Sequence, residues 1–269
     1  FNNYTGTGQY IAIQDYYTQA GFVLVDNIEV KPIPDCWEPE DLEVSNITTT
    51  SATLSWTAGS TETAWDIYVT DNSSDVPDDT STPTYANVTS NTDYPITGLT
   101  SAKTYYVYVR AICAIDEYSD WSLPFDFNTE CEGMPLPFDT DFQSGLSMCW
   151  TLINTNASNN VGVYHNGSSY FLGFNSGTSS AATLAAVLPE VDAAYPLNEY
   201  QITFDASYYN ASNGKLRIGI MTDPTDFTTF ELVKEVDIID NFTTFGSYKV
   251  RFNNYTGTGQ YIAIQDYYT

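Results

Sequence analysis

Positive charge and histidine are the scarcest features of this chain. Eight Lys and Arg residues stand against 34 Asp and Glu, for a formal net charge of −26. That field repels nucleic acid and anionic membrane, which excludes both as partners; it would attract divalent cations and keep a long polymer soluble. The lone histidine, His165, stands in a His-Asn-Gly-Ser stretch that reads as an exposed turn. No Gly-x-Ser-x-Gly elbow, phosphate-cradling loop or zinc-type histidine cluster accompanies it. The aspartates fall mostly in polar turns rather than in a paired-carboxylate arrangement. Enzyme activity is therefore not expected. No run of eighteen apolar residues occurs, so membrane insertion of this segment is not expected. A signal peptide is also missing, as a window taken from the middle of a longer chain would require.

Helix-forming Lys, Glu, Leu and Gln are scarce while Thr, Ser, Asn and Tyr abound, which points to an all-β protein. The four cysteines have no metal-type Cys-x-x-Cys spacing, so they read as disulfides, and the setting as extracellular or cell-surface. Glycosylation sequons occur at Asn46, Asn72, Asn87, Asn156, Asn166, Asn210 and Asn241, and the repeated segment described next adds Asn3 and its copy Asn254.

One feature outweighs the rest. The segment Phe1–Thr18 returns without a change as Phe252–Thr269, an offset of 251 residues. A period of that length is too long for a solenoid unit and suits whole domains in tandem. The expectation is a window cut from a tandem array with a 251-residue period.

Residues 36–130 hold short alternating strands at Leu42–Val44, Ala52–Trp56, Trp65–Val69, Tyr105–Ala111 and Phe125–Asn128. Turn-rich stretches separate them, notably Asp71–Thr84, and the pattern reads as a β-sandwich. The stretch Ser51-Ala52-Thr53-Leu54-Ser55-Trp56 resembles the second strand of a fibronectin type III domain with its core tryptophan. Gly98-Leu99 followed by Thr104–Ala111 resembles that family's tyrosine-corner strand, with Tyr105 at the corner. Ser119-Asp120-Trp121-Ser122 before Phe125-Asp126-Phe127 resembles its last strand, while Ser101 replaces the usual proline.

Residues 131–269 carry strand candidates at Ser179–Val187, Glu199–Ala206, Lys215–Met221, Phe230–Val236, Ser247–Phe252 and Gln260–Gln265. Asp141-Phe142-Gln143 leading to Cys149-Trp150-Thr151, Tyr200–Asp205 and Gly259–Ile264 resemble the cleaved-adhesin jelly rolls of gingipain-type and other secreted Bacteroidetes adhesins, relatives of MAM-like sandwiches. The resemblance implies a further strand after Thr269. The pattern of that strand is present at Phe22–Val30, just after the first copy of the repeat. Residues 1–35 are then the C-terminal strands of a preceding jelly roll, and residues 131–269 a jelly roll lacking its last strand. An open sandwich exposes apolar residues and backbone donors, so closure must come from the continuing chain or from a neighbouring subunit by donor-strand exchange.

The two resemblances carry further implications. The fibronectin topology brings Cys36 and Cys113 to one pole, which implies their pairing and leaves Cys131 with Cys149. Other connectivities stay open on the sequence alone. Jelly rolls of this kind often hold a structural calcium, for which the matching residues are Asp139, Asp141 and Gln143 at the entry with Asp26 and Asn27 on the final strand. Tyrosine occurs 22 times, with doublets at Tyr16-Tyr17, Tyr105-Tyr106, Tyr208-Tyr209 and Tyr267-Tyr268. Each doublet offers one ring to the core and one to a neighbouring repeat or a sugar. The function implied is a structural repeat unit of an extracellular filament or giant adhesin stalk, with neighbouring repeats as partners. The alternatives are an adhesin module that binds carbohydrate or host protein, and a filament of separate subunits joined by strand exchange.

Overall fold

The computed structural model describes residues 5–14, 23–28, 30, 34–156, 158–175, 183–208, 214–239 and 244–267. It divides into two units, Phe1–Asp35 and Cys36–Thr269. The strands expected within residues 1–35 are not present among that unit's described residues, and Tyr10, Ile11, Ile13, Leu24 and Ile28 are exposed there. A single extended segment without a partner strand has only water for its amides, so nothing holds it as a strand.

In the second unit the chain first forms eight strands: β1 (Glu40–Ser45), β2 (Ser51–Thr57), β3 (Trp65–Thr70), β4 (Tyr85–Val88), β5 (Tyr94–Thr97), β6 (Thr104–Ala114), β7 (Glu117–Tyr118) and β8 (Phe125–Asn128). One sheet runs β1-β2-β5, and the other β4-β3-β6-β7 with β8 also paired to β6. The alternation in β2 buries Ala52, Leu54 and Trp56, which meet Trp65, Ile67, Val107 and Val109 from the facing sheet. Trp56 and Trp65 touch edge to face at 5.5 Å between ring centres. The hydroxyl of Tyr105 accepts the amide of Thr100 at 2.9 Å, tying the approach of β6 to its own strand in a tyrosine corner. Ser119 and Ser122 continue this edge before β8 begins. Their hydroxyls accept the amides of Ala111 and Val109 of β6.

The charged pair of this sandwich is buried on the face of its sheet that turns away from the Trp56–Trp65 core. Arg110 on β6 binds Asp66 on β3 at 2.9 Å, with both side chains almost fully covered. Tyr118 and Trp121 flank the guanidinium at 4.1 and 4.6 Å from their ring centres. Asp66 also accepts the amide of Asn87, so no lone charge is left buried.

Nine strands follow: β9 (Thr151–Asn154), β10 (Asn160–Asn166), β11 (Ser169–Asn175), β12 (Leu184–Val187), β13 (Gln201–Ala206), β14 (Gly214–Met221), β15 (Glu231–Ile238), β16 (Gly246–Arg251) and β17 (Tyr261–Asp266). A five-stranded sheet runs β15-β14-β17-β12-β9, and β13-β16 and β10-β11 form separate two-stranded pairs. The second copy of the repeat therefore supplies β17, the middle strand of the large sheet. One face of β17 adds Ile262 and Ile264 to a core that contains Ile218, Ile220, Val250 and Phe252. The other places Ala263 against Val187 and Met221 under Phe227 and Phe230. The turn before β17 depends on glycine: a β-carbon at Gly259 would run into the Met221 carbonyl, and its amide is held by the Tyr255 hydroxyl at 2.7 Å.

The stretch around His165 is a correction to the sequence reading. It is not a free loop but the end of β10, paired with Tyr170 of β11, although His165 is exposed as expected. The turn is Gly167-Ser168, closed by the Asn166↔Ser169 pair, with Gly167 at φ +63°, a hairpin signal that the polar surroundings mask. Strands β4, β5, β7, β9 and β11 are likewise additions to those expected from alternation.

Candidate functional site

The residues singled out from sequence do not converge. Cys36 is bonded to Cys113 and Cys131 to Cys149, each pair with 5.9 Å between α-carbons. Asn46, Asn72, Asn87, Asn166 and Asn254 are exposed and Asn156 is half-buried, while Asn210 and Asn241 lie outside the described residues. Asp139 and Asp141 are exposed, and Asp141 turns onto the amide of Gln143 at 3.0 Å. Asp26 similarly accepts the amide of Asn27 at 2.8 Å. Among the described residues no three His, Cys, Asp or Glu side chains gather into a set that could hold a metal ion. Of the tyrosine doublets, Tyr105 is buried and Tyr106 half-buried. Tyr16, Tyr17, Tyr209 and Tyr268 fall outside the described residues.

The unusual surface is the edge of β13. This strand pairs with β16 through Gln201↔Arg251 to Ala206↔Gly246, and no strand among the described residues pairs with its other edge. The phase of the ladder follows from one bond: the amide of Phe252 donates to the carbonyl of Tyr200 at 3.1 Å. In an antiparallel pair the bonded positions alternate, so Ile202, Phe204 and Ala206 face β16. Gln201, Thr203 and Asp205 then turn their amides and carbonyls outward along the open edge. The open edge also leaves its core incompletely covered. Ile202, Phe204 and Ala206 pack on the main apolar cluster yet are only half-buried, whereas Val250 on β16 is 1 % exposed. Phe204 stacks on Tyr248 at 5.8 Å with the rings 19° apart.

Apart from the single charge of Asp205, nothing in Gln201–Ala206 protects this edge. Lysine, proline and bulges are the usual devices that keep an exposed strand from pairing, and the six residues contain neither Lys nor Pro and keep an unbroken register. Sequence reasoning placed the strand but not its open side, because alternation reports which face is apolar and not which edge is paired. The absence of edge-protecting residues was the available signal.

A shallow cleft of about 400 Å³ lies nearby, lined by Asn198, Glu199, Tyr200, Gln201, Arg251 and Asn253. It is polar, and Tyr200 is its single aromatic ring, held edge to face against Tyr195 at 6.2 Å. On β17 the hydroxyl of Tyr261 donates to the Glu190 carboxylate at 3.0 Å. Burial first, and that carboxylate second, keep its proton on, so its pKa is pushed up to about 12.

With the two tryptophans, the tyrosine corner and both sheets in place, the first sandwich is decided. Residues 38–128 match the fibronectin type III domain. No curated protein matches the chain in sequence. Among solved structures, the FN5 domain of Drosophila Lar is similar at 18% identity, covering 36% of this chain and 99% of that one, with a TM-score of 0.30. A structure described as a myokine is 24% identical over 36% of this chain and 99% of its own, with a TM-score of 0.29. A structure from work on carbohydrate-binding modules of the β-sandwich superfamily is 13% identical over 87% of this chain and 94% of its own, with a TM-score of 0.33. The protein is thus all-β, with a fibronectin type III domain and two disulfides, a combination that belongs to an extracellular binding or structural module. No helix among the described residues is long and apolar enough to cross a membrane.

Proposed function

We propose that this chain is a structural repeat unit of an extracellular filament or giant adhesin stalk, in which a fibronectin domain and a jelly-roll-like sandwich alternate along one polypeptide. The role is mechanical rather than enzymatic. One observation carries the reading: eighteen identical residues occur twice, and the second copy contains the middle strand of a domain. A segment that belongs inside a sandwich has no independent use elsewhere, so its duplicate marks a second sandwich of the same kind. The net charge of −26 suits this role, because it keeps a long acidic polymer soluble and limits nonspecific lateral association.

A strand of about ten residues spans roughly 33 Å, so two sandwiches end to end should repeat on the order of 70–90 Å. Electron microscopy of the native protein should show elongated particles with that axial period. A native mass equal to one 269-residue chain would overturn the tandem form of the proposal.

A second reading is favoured by the polar cleft at Tyr200 and Arg251, where one ring and several hydrogen-bonding groups could meet a sugar. On that reading the sandwich is a carbohydrate- or host-protein-binding module with the fibronectin domain as spacer. Glycan-array binding that is lost in Tyr200→Ala would establish it. A blank array would eliminate the carbohydrate version.

A further inference from the structure

We propose that the solvent face of β16 binds an acidic polysaccharide, a sugar chain carrying carboxylate or sulfate groups, through Lys234, Lys249 and Arg251. The inference rests on the carbohydrate reading of the neighbouring cleft and names the class of sugar taken there.

The distribution of positive charge points to the site. Of eight Lys and Arg residues, Lys103, Arg110, Lys215 and Arg217 are each paired with a carboxylate, on Asp71, Asp66, Asp237 and Glu235 respectively. Lys31 lies outside the described residues. The other three, Lys234, Lys249 and Arg251, form no ion pair or side-chain hydrogen bond among the described residues, and all three line one cleft of about 420 Å³. With 34 Asp and Glu in the chain, partners were plentiful, yet these three are left together. Like charges so placed repel one another, a cost that an anionic ligand would relieve.

Strand geometry fixes the arrangement. Alternation along β16 puts Lys249 and Arg251 on its solvent face, with α-carbons about 7 Å apart, while Val250 between them turns into the core. Thr203 and Gln201 stand opposite them on β13. Lys234 comes from β15, at the edge of the other sheet. This cleft shares Arg251 with the one at Tyr200, whose lining adds the side-chain amides of Asn198, Gln201 and Asn253. Glu199 is the single carboxylate among the lining residues, and it pairs with none of the three cations.

A ligand that suits both clefts needs negative groups for the cations, hydroxyls for the amides and a ring face for Tyr200. A uronic or sulfated sugar chain has all of these. An acidic peptide segment lacks most of the hydroxyls. Duplex nucleic acid, with a charge every ~1.7 Å, would overrun three cations onto the acidic surface around them.

The test is isothermal titration calorimetry of the whole chain with tetragalacturonate and with a sulfated carrageenan tetrasaccharide, which separate carboxylate from sulfate as the anion. At least one should bind, and its uncharged counterpart, methyl-esterified or desulfated, should bind at least about tenfold more weakly. Lys249→Gln and Arg251→Gln should each weaken the acidic oligomer about tenfold, the loss of one charge-assisted contact. Glu199→Gln should tighten it about threefold by removing a repelling charge, a gain that a merely structural role would not produce. All three side chains are exposed, so the variants should keep the parent's near-ultraviolet circular dichroism. Failure of both acidic oligomers to bind at millimolar concentration would overturn the proposal, as would equal binding of their uncharged counterparts. Neutral sugars whose binding is lost in Tyr200→Ala but untouched by Lys249→Gln would sink this inference and leave the carbohydrate reading standing. Binding of the peptide of residues 71–80, DNSSDVPDDT, with no binding of any sugar would sink both, since the occupant would then be an acidic loop of another copy.

Discussion

Two isoleucines with identical neighbours should respond oppositely to the same substitution. Ile262 in β17 is 5% exposed, lies opposite Ile220 of β14, and has its carbonyl held by the amide of Leu188. Ile11, its counterpart in the first copy, is 58% exposed and belongs to no strand. Ile262→Ala removes buried methyl groups and leaves a cavity between two packed sheets, a change that costs about 2–5 kcal/mol. Ile11→Ala should stay within about 0.5 kcal/mol, because an exposed side chain loses few contacts. Native-state hydrogen exchange of the β14 amides, with Ile218 and Ile220 fully buried, reads this sandwich separately from the fibronectin domain. A loss near 3 kcal/mol should speed the slowest of those amides roughly a hundredfold. The Ile11→Ala chain should exchange like the parent. Equal effects of the two substitutions, or a change below about threefold for Ile262→Ala, would refute the assignment of the second copy to a central strand.

Other outcomes follow from single contacts. Arg110→Met should cost about 3–5 kcal/mol by leaving Asp66 charged and buried, and adding Asp66→Leu should recover part of it; a double variant no more stable to urea than the single would contradict this. Tyr105→Phe should cost about 1 kcal/mol by taking the acceptor from the Thr100 amide, seen as a lower melting temperature of the fibronectin domain. Alkali should destabilise the second sandwich. Tyr261 ordinarily titrates at 10.0 but holds its proton to about 12 when folded, so its contribution is complete below pH 10 and is lost as pH rises toward 12. Burial raises Tyr255 in the same direction. Thermal melts at stepped pH should show the decline beginning near pH 10, and a Tyr261→Phe chain with an unchanged slope would show the effect to lie elsewhere.

Much of the first sandwich was legible because its signals are local. Alternation in Ser51–Thr57 identified the buried face of β2, and Tyr105 with the preceding Gly98-Leu99 marked the corner before β6. Short strands under polar cover were not. Residues 160–175 carry glycines, asparagines and a histidine, so their apolar side chains do not form a clean alternation, and the hairpin is visible only when Phe174 and Leu172 reach the core beside Trp150. The open edge of β13 was hidden for another reason: a residue's side chain shows which face is buried, but its backbone looks the same paired or unpaired.

From the sequence alone came the all-β composition, the tryptophan and tyrosine positions of the fibronectin sandwich, and the exact return of eighteen residues after 251. Tertiary structure decided what those eighteen residues become. In one copy Tyr-Ile-Ala-Ile-Gln-Asp is the middle strand of a sheet, bonded on both sides to β14 and β12; in the other, its described residues are exposed and form no strand. The chemistry of the segment is the same in both places. A β-strand is completed by hydrogen bonds and apolar neighbours supplied by residues far away in the chain, so an identical sequence acquires its structure only where those partners are present.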